Sequence, residues 1–129
     1  MKRPLAVMMT RTVKTIRPDA SLCDAAKDMR DLRLGALLVE ENGTYVGVVS
    51  ETDLVRKGMA NAKDPNVEKV RTVMSSPIIS IDIDKTASEA SDLMSEKAIR
   101  HLAVTEGGKI AGIISVRDLL RYYKNWGSF

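Results

Sequence analysis

The chain is poor in the residues that build covalent and metal chemistry. Its 129 residues hold one cysteine, Cys23, and one histidine, His101. A single thiol cannot close an internal disulfide, and one Cys with one His makes no cluster of metal-ligand spacing. Aromatics are scarce: five in all, four of them in the C-terminal stretch YYKNWGSF. No run of five like charges occurs, which argues against a polybasic arm or an acidic tail. No stretch of 18 apolar residues and no charged-then-apolar leader appears, so the sequence reads as soluble and cytoplasmic. Nor is there a nucleophile with a base, a catalytic pair of carboxylates, or a G-x-x-x-x-G-K-[ST] phosphate loop. The expectation is a protein that is not an enzyme and holds no cofactor or metal.

What is present is enough apolar material, 44% of residues, for one ordinary globular domain. The 20 basic and 17 acidic residues are interspersed and leave a net charge of +3. That mild surplus suits anionic small molecules as well as it suits nucleic acid.

An internal repeat organises the rest. Residues 9–56 laid against 74–121, without a gap, share 14 identities in 48 positions, where about three are expected by chance, so the chain is a duplication. The matches include Met9/Met74, Ile16/Ile81, Gly47/Gly112, Ser50/Ser115 and Asp53/Asp118. The stretch GVVSETDL at 47–54 returns as GIISVRDL at 112–119.

Each copy reads as β-α-β-β-α. Val13–Ile16 is a short strand ended by Pro18-Asp19; Ser21 then opens a helix with Leu22, Ala25, Ala26, Met29 and Leu32 on one face. In the second copy Thr86 and Glu89 form a capping box at that helix start. Ala36–Val39 is a buried strand, Asn42-Gly43 a tight turn, and Tyr45–Ser50 the return strand; Gly107-Gly108 is the second turn. A last helix begins near Ser50 or Ser115. The fold class is therefore α/β (α+β), with two tandem units related by a pseudo-two-fold axis. The boundaries expected are 1–60 for the first repeat, 61–72 for a linker and lead-in helix, 73–121 for the second repeat, and 122–129 for an aromatic tail. Pro4–Met9 reads as the lead-in to the first copy and Val67–Met74 as the lead-in to the second.

The Ser-x-x-Asp ending carries two readings. It is a helix cap, the Ser oxygen taking a free backbone N–H, or it is a ligand hook at a helix mouth. A carboxylate can accept two O–H bonds from a vicinal diol, and free N–H groups at a helix start favour a phosphate. A capping box ordinarily uses Glu or Gln where both copies have the shorter Asp.

The tandem β-α-β-β-α repeat, the lead-ins AVMMT and TVMSS, the mid-motifs LGALLV and IRHLAV, and the G-h-h-S-x-x-D-L endings together resemble the CBS domain pair, or Bateman module, over residues 4–121. The resemblance implies a small stand-alone regulatory protein that binds an adenosine-type ligand in clefts between repeats. Carried over by position, one site joins Ser50 and Asp53 to Ser80, Ile81, Arg100 and His101. The other joins Ser115, Arg117 and Asp118 to Thr15, Ile16 and Ala36. The Asp would hold the ribose hydroxyls, the Ser would lie near the phosphates, and first-strand and mid-motif residues would contact the base. Leu38 and Ala103 stand where the family commonly has Pro, and Thr52 stands where it often has a basic residue.

The ligand expected is an adenine nucleotide, AMP ahead of ADP and ATP, with S-adenosylmethionine as the competitor. Each residue keeps a plainer reading: Asp53 and Asp118 as caps, Arg100 and His101 as cations at a helix end, and Arg117 as a solvated surface charge. The resemblance also implies a homodimer, to which the aromatic tail would contribute or through which a protein partner would dock. Nucleic-acid binding and a ligand-free interaction module are the remaining alternatives.

Overall fold

The computed structural model describes residues 4–125. In chain order the elements are α1 (Pro4–Met8), β1 (Thr15–Ile16), α2 (Leu22–Leu32), β2 (Ala36–Glu41), β3 (Thr44–Ser50) and α3 (Glu51–Asp53). A π turn (Leu54–Gly58) and two 3-10 turns (Met59–Asn61 and Val70–Thr72) follow. The second copy supplies β4 (Ser80–Asp82), α4 (Ala87–Lys97), β5 (His101–Glu106), β6 (Lys109–Ser115) and α5 (Val116–Asn125).

Local chemistry explains the repeated boundaries. Ser21 accepts the Asp24 N–H at 3.1 Å and starts α2. Thr86 and Glu89 cap α4 reciprocally, as the sequence predicts. Both helices stop at a non-glycine residue in the left-handed region, Arg33 with φ 57° and Ala98 with φ 55°, a conformation that costs about 1–2 kcal/mol and is offset by the backbone bonds it closes. The hairpin turns use successive positive φ values, 53° and 79° at Asn42-Gly43 and 61° and 80° at Gly107-Gly108, as a two-residue turn between right-twisted strands requires.

Each copy forms a three-stranded sheet, β1-β2-β3 or β4-β5-β6, whose first pair is parallel and second antiparallel. The registers correspond residue for residue. Ala36 faces Ser50 as His101 faces Ser115, and both hairpins slip at the same place, Val39/Glu40 and Val104/Thr105. The first strand is shorter than its sequence signal, Thr15–Ile16 instead of 13–16, because only these residues reach parallel partners on β2.

The chain divides into two compact units, and the division does not follow the repeat. One is Lys14–Ile78; the other comprises the described parts of Met1–Val13 and Ile79–Phe129. Leu5 and Met9 sit in a core with Ile81, Ile83, Leu102 and Ile114, all from the second copy. Val70 and Val73 sit with Leu22, Met29, Leu37 and Val49 of the first. Each lead-in therefore completes the core of the copy it does not precede.

Backbone pairing fixes this exchange. Thr10 and Ile113 exchange N–H···O bonds of 2.8 and 3.0 Å, and Ser75 and Val48 exchange bonds of 2.8 and 3.0 Å. Gly112 and Gly47 make the approach possible: a Cβ on Gly112 would stand 2.6 Å from the Thr10 carbonyl oxygen, and one on Gly47 2.9 Å from that of Ser75. The lead-in before the second copy is not a full helix, since only Val70–Thr72 closes a 3-10 turn and Val67 is exposed. Among the described residues no helix is long and apolar enough to cross a membrane.

Candidate functional site

At the end of β3 the chain turns sharply into α3. Ser50 is extended (φ −120°, ψ 166°), and its hydroxyl accepts the Asp53 N–H at 3.2 Å. The Asp53 carboxylate reaches back, and its Oδ2 accepts the Ser50 N–H and hydroxyl at 3.0 Å each. The second copy repeats the device. Ser115 donates its N–H at 2.8 Å and its hydroxyl at 3.0 Å to Asp118 Oδ2, while Asp118 N–H donates to the Ser115 hydroxyl at 3.2 Å. The shorter acid thus closes a complete box, so capping alone accounts for one carboxylate oxygen in each copy.

The other predicted residues lie around these turns, unit by unit. In the Lys14–Ile78 unit, Ala36 is buried opposite Ser50, and the Glu51 N–H donates to the Gly35 carbonyl at 2.9 Å. Thr15 and Ile16 lie on the edge strand β1, Thr15 exposed and Ile16 buried in the core. In the other unit Ser80 and Ile81 hold the same places on edge strand β4. Because Ile16 and Ile81 turn their side chains into the cores, an edge strand offers a ligand its main-chain groups. His101 is the register partner of Ser115, and the Val116 N–H donates to the Arg100 carbonyl at 2.9 Å. The structure thus brings Arg100 and His101 beside the Ser115–Asp118 turn of their own unit. Arg117 is exposed in the first turn of α5.

Two residues at the first turn escaped the sequence reading. The Lys57 ammonium lies 3.0 Å from Asp53 Oδ1 and donates to the Ser75 hydroxyl at 3.2 Å. That hydroxyl donates in turn to Asp53 Oδ1 at 3.2 Å. Lys57 was findable, standing four residues after an acid on one helical face. Ser75 was not, because it is 22 residues away and arrives through the lead-in bridge to Val48. In the second copy the corresponding oxygen, Asp118 Oδ1, meets the Arg121 guanidinium at 3.5 Å.

The helices after the two turns also differ. The first becomes a π turn, where Gly58 packs so near Leu22 that a Cβ would stand 2.9 Å from Leu22 Cδ1. The second, with Tyr123 at the equivalent place, runs on as the regular α5. Beside the π turn a groove of about 360 Å³, within the same unit, is lined by Leu22, Ala26, Met29, Leu54, Val55 and Met59 among others. Of the tail aromatics, Tyr122 and Tyr123 meet edge to face at 5.6 Å and pack on the core of their own unit. Trp126 and Phe129 lie outside the described residues. Among the described residues no group of three or more His, Cys, Asp or Glu could hold a metal ion.

Known proteins share this architecture. The chain is 33% identical over 128 residues to an uncharacterized protein of Methanocaldococcus jannaschii, covering 89% of this chain and 30% of that protein. It is 34% identical over 113 residues to one of Methanopyrus kandleri, covering 86% and 58%. The chain therefore spans under two thirds of the length of both. A protein of solved structure with CBS domains from Burkholderia ambifaria superposes with a TM-score of 0.87 at 31% identity, covering 92% of this chain and 88% of that one. The CBS domain model matches residues 5–60 and again residues 70–125. The chain belongs to the CBS domain family and carries two copies of the domain in tandem.

Proposed function

We propose that this chain is a regulatory, non-catalytic module that binds an adenosine-containing ligand, AMP ahead of ADP and ATP. CBS pairs are in general ligand-sensing regulators, and the reading starts from membership of that family. The observation that carries it further is the twice-built Ser-x-x-Asp turn. It holds a largely buried carboxylate with one oxygen fixed by its own cap, at the point where a strand turns into a helix. A carboxylate so placed suits the two hydroxyls of a ribose.

In this reading Ser50, Asp53, Ser115 and Asp118 are the ribose and phosphate candidates. The edge-strand residues Thr15, Ile16, Ser80 and Ile81, with Ala36, offer main chain and an apolar wall to the base. Arg100 and Arg117 supply positive charge for a phosphate and His101 a ring N–H; Arg100 and His101 border Ser115, the neighbour of Arg117 by two residues. S-adenosylmethionine is the second reading, favoured at the first turn, where Thr52 stands in place of Arg117 and a sulfonium needs no cation. A homodimer is the proposed assembly, supported by the exposed apolar side chains of Val55 and Met59 along the groove.

The test is isothermal titration of nucleotide-stripped protein with AMP, ATP and S-adenosylmethionine, beside Asp53→Ala and Asp118→Ala. Micromolar binding of AMP, lost in a folded Asp variant, supports the reading. Tighter binding of S-adenosylmethionine replaces the ligand, and no binding of any of the three rejects adenosine sensing. Sedimentation velocity of the same samples reads the dimer.

A further inference from the structure

The two Ser-x-x-Asp turns share a backbone and a cap, yet they do not keep the same vacancy. A carboxylate offers about four lone-pair sites. At Asp53 all four are met from within the unit: Oδ2 by the Ser50 N–H and hydroxyl, Oδ1 by the Lys57 ammonium at 3.0 Å and the Ser75 hydroxyl at 3.2 Å. Burial hardly separates the two side chains, 8% exposed at Asp53 and 13% at Asp118; the partners do. At Asp118, Oδ2 is held by Ser115 as before, but among the described residues Oδ1 has one contact, the Arg121 guanidinium at 3.5 Å. That distance exceeds the ordinary N–H···O range of about 2.7–3.2 Å, and the Arg121 side chain is 66% exposed.

The repeat explains the difference. At the offset of 65, Lys57 corresponds to Tyr122, which packs on the core, and Ser75 corresponds to Thr10, which meets Ile113 through its main chain. The second copy therefore keeps a hydroxyl at the bridge, on Thr10, but has no counterpart of the Lys57 ammonium. The surroundings of Asp118 differ in the same direction. Arg100 and Arg117 border its turn, exposed and without an ion pair among the described residues.

We infer that Asp53 is an internal clasp and Asp118 the ligand hook, so that the chain binds one adenosine ligand and not two. The inference rests on the proposed adenosine binding and decides which turn performs it. A ribose diol needs two lone pairs on one carboxylate. Asp118 Oδ1 can present them, whereas at Asp53 the diol must displace an ammonium ion and a hydroxyl from an almost fully covered oxygen. The clasp has work of its own, since Ser75 ties the lead-in bridge to the β3–α3 turn and Lys57 ties the π turn to it.

The experiment is titration of the full, nucleotide-stripped chain with AMP, read for stoichiometry and affinity, together with thermal unfolding. The wild type should bind one AMP per chain, and Asp118→Asn should weaken binding at least about tenfold. The double variant Lys57→Met/Ser75→Ala should keep that first AMP and admit a second. Two AMP bound by the wild type, or binding lost in Asp53→Asn and kept in Asp118→Asn, overturns the inference. The clasp is also read without ligand, so variants that fold poorly still inform it. The melting temperatures of Lys57→Met, Asp53→Asn and their combination should be non-additive, and additivity rejects the clasp. If the wild type binds no AMP, the adenosine reading and the hook fall together, while the clasp stands or falls on the thermal cycle.

Discussion

Replacing Gly112 by alanine tests the lead-in exchange at its tightest point. The new Cβ would lie 2.6 Å from the Thr10 carbonyl oxygen and 3.1 Å from Met9 Sδ. The thioether can swing aside, but the carbonyl is held by the Ile113 N–H at 3.0 Å and belongs to the bridge itself. Moving it weakens one backbone hydrogen bond, worth about 1 kcal/mol, and overpacking a filled site adds about 1–3 kcal/mol. Removing glycine's freedom from the unfolded chain returns about 0.4–1 kcal/mol. The net loss is about 1–3 kcal/mol, or about 3–12 °C in melting temperature for a chain of this size. Gly47→Ala, with its nearest backbone atom at 2.9 Å, should cost less. Calorimetry gives the order, and hydrogen exchange should show the Ile113 amide losing protection in Gly112→Ala. An unchanged melting temperature with Ile113 still protected would sink the claim that the Thr10 backbone closes this sheet.

Two further outcomes follow from the same packing and from the caps. Leu5→Ala empties a fully buried position and should cost about 2–5 kcal/mol. Hydrogen exchange should place the loosening in β5 and β6 and leave β2 and β3 protected; the reverse would restore the lead-in to the first copy. Glu89 is held below its ordinary value of 4.5 first by the Thr86 N–H and then by the Thr86 hydroxyl. A carboxyl lowered on folding stabilises above its unfolded value and loses that contribution as the pH falls through the folded one. The stability gap between wild type and Glu89→Gln should therefore be full at neutral pH and close as the pH falls below the ordinary glutamate value of 4.5. A gap that ignores pH would reject the charge-based cap.

The repeat, the turns and the caps were legible because each is a local signal. Asn42-Gly43 and Thr86/Glu89 act within four residues of themselves, and an offset of 65 repeats them. The family was legible because its motifs recur twice. The core that each lead-in enters was not legible, because nothing in PLAVM or VRTVM says which of two homologous cores will take it; the sheets are alike, and the choice is made by Thr10 reaching Ile113 and Ser75 reaching Val48. The interrupted last helix of the first copy was hidden too. Gly58 carries no local sign of its role, which is to let the π turn settle against Leu22. At the candidate site the Ser and Asp pairs were found, but the Asp53 clasp needed Ser75, whose proximity only tertiary structure creates.

The exchanged lead-ins also set an order of events for the growing chain. Lys14–Ile78 is contiguous, so this unit can close as soon as it has been synthesised, with its first and last residues both in hand. The other unit is split around it, and Thr10 must wait for Ile113. Closing that span from an unfolded chain carries the entropy of a loop of about a hundred residues, growing as roughly (3/2)RT ln n. Once Lys14–Ile78 has folded, the span is bridged by a compact body in place of loose chain, and the closure becomes easier. Pulse-labelled hydrogen exchange should therefore find β2 and β3 protected before β5 and β6. Two copies of one ancestral motif would then fold in sequence, the inner one first and the outer only once both of its segments are present.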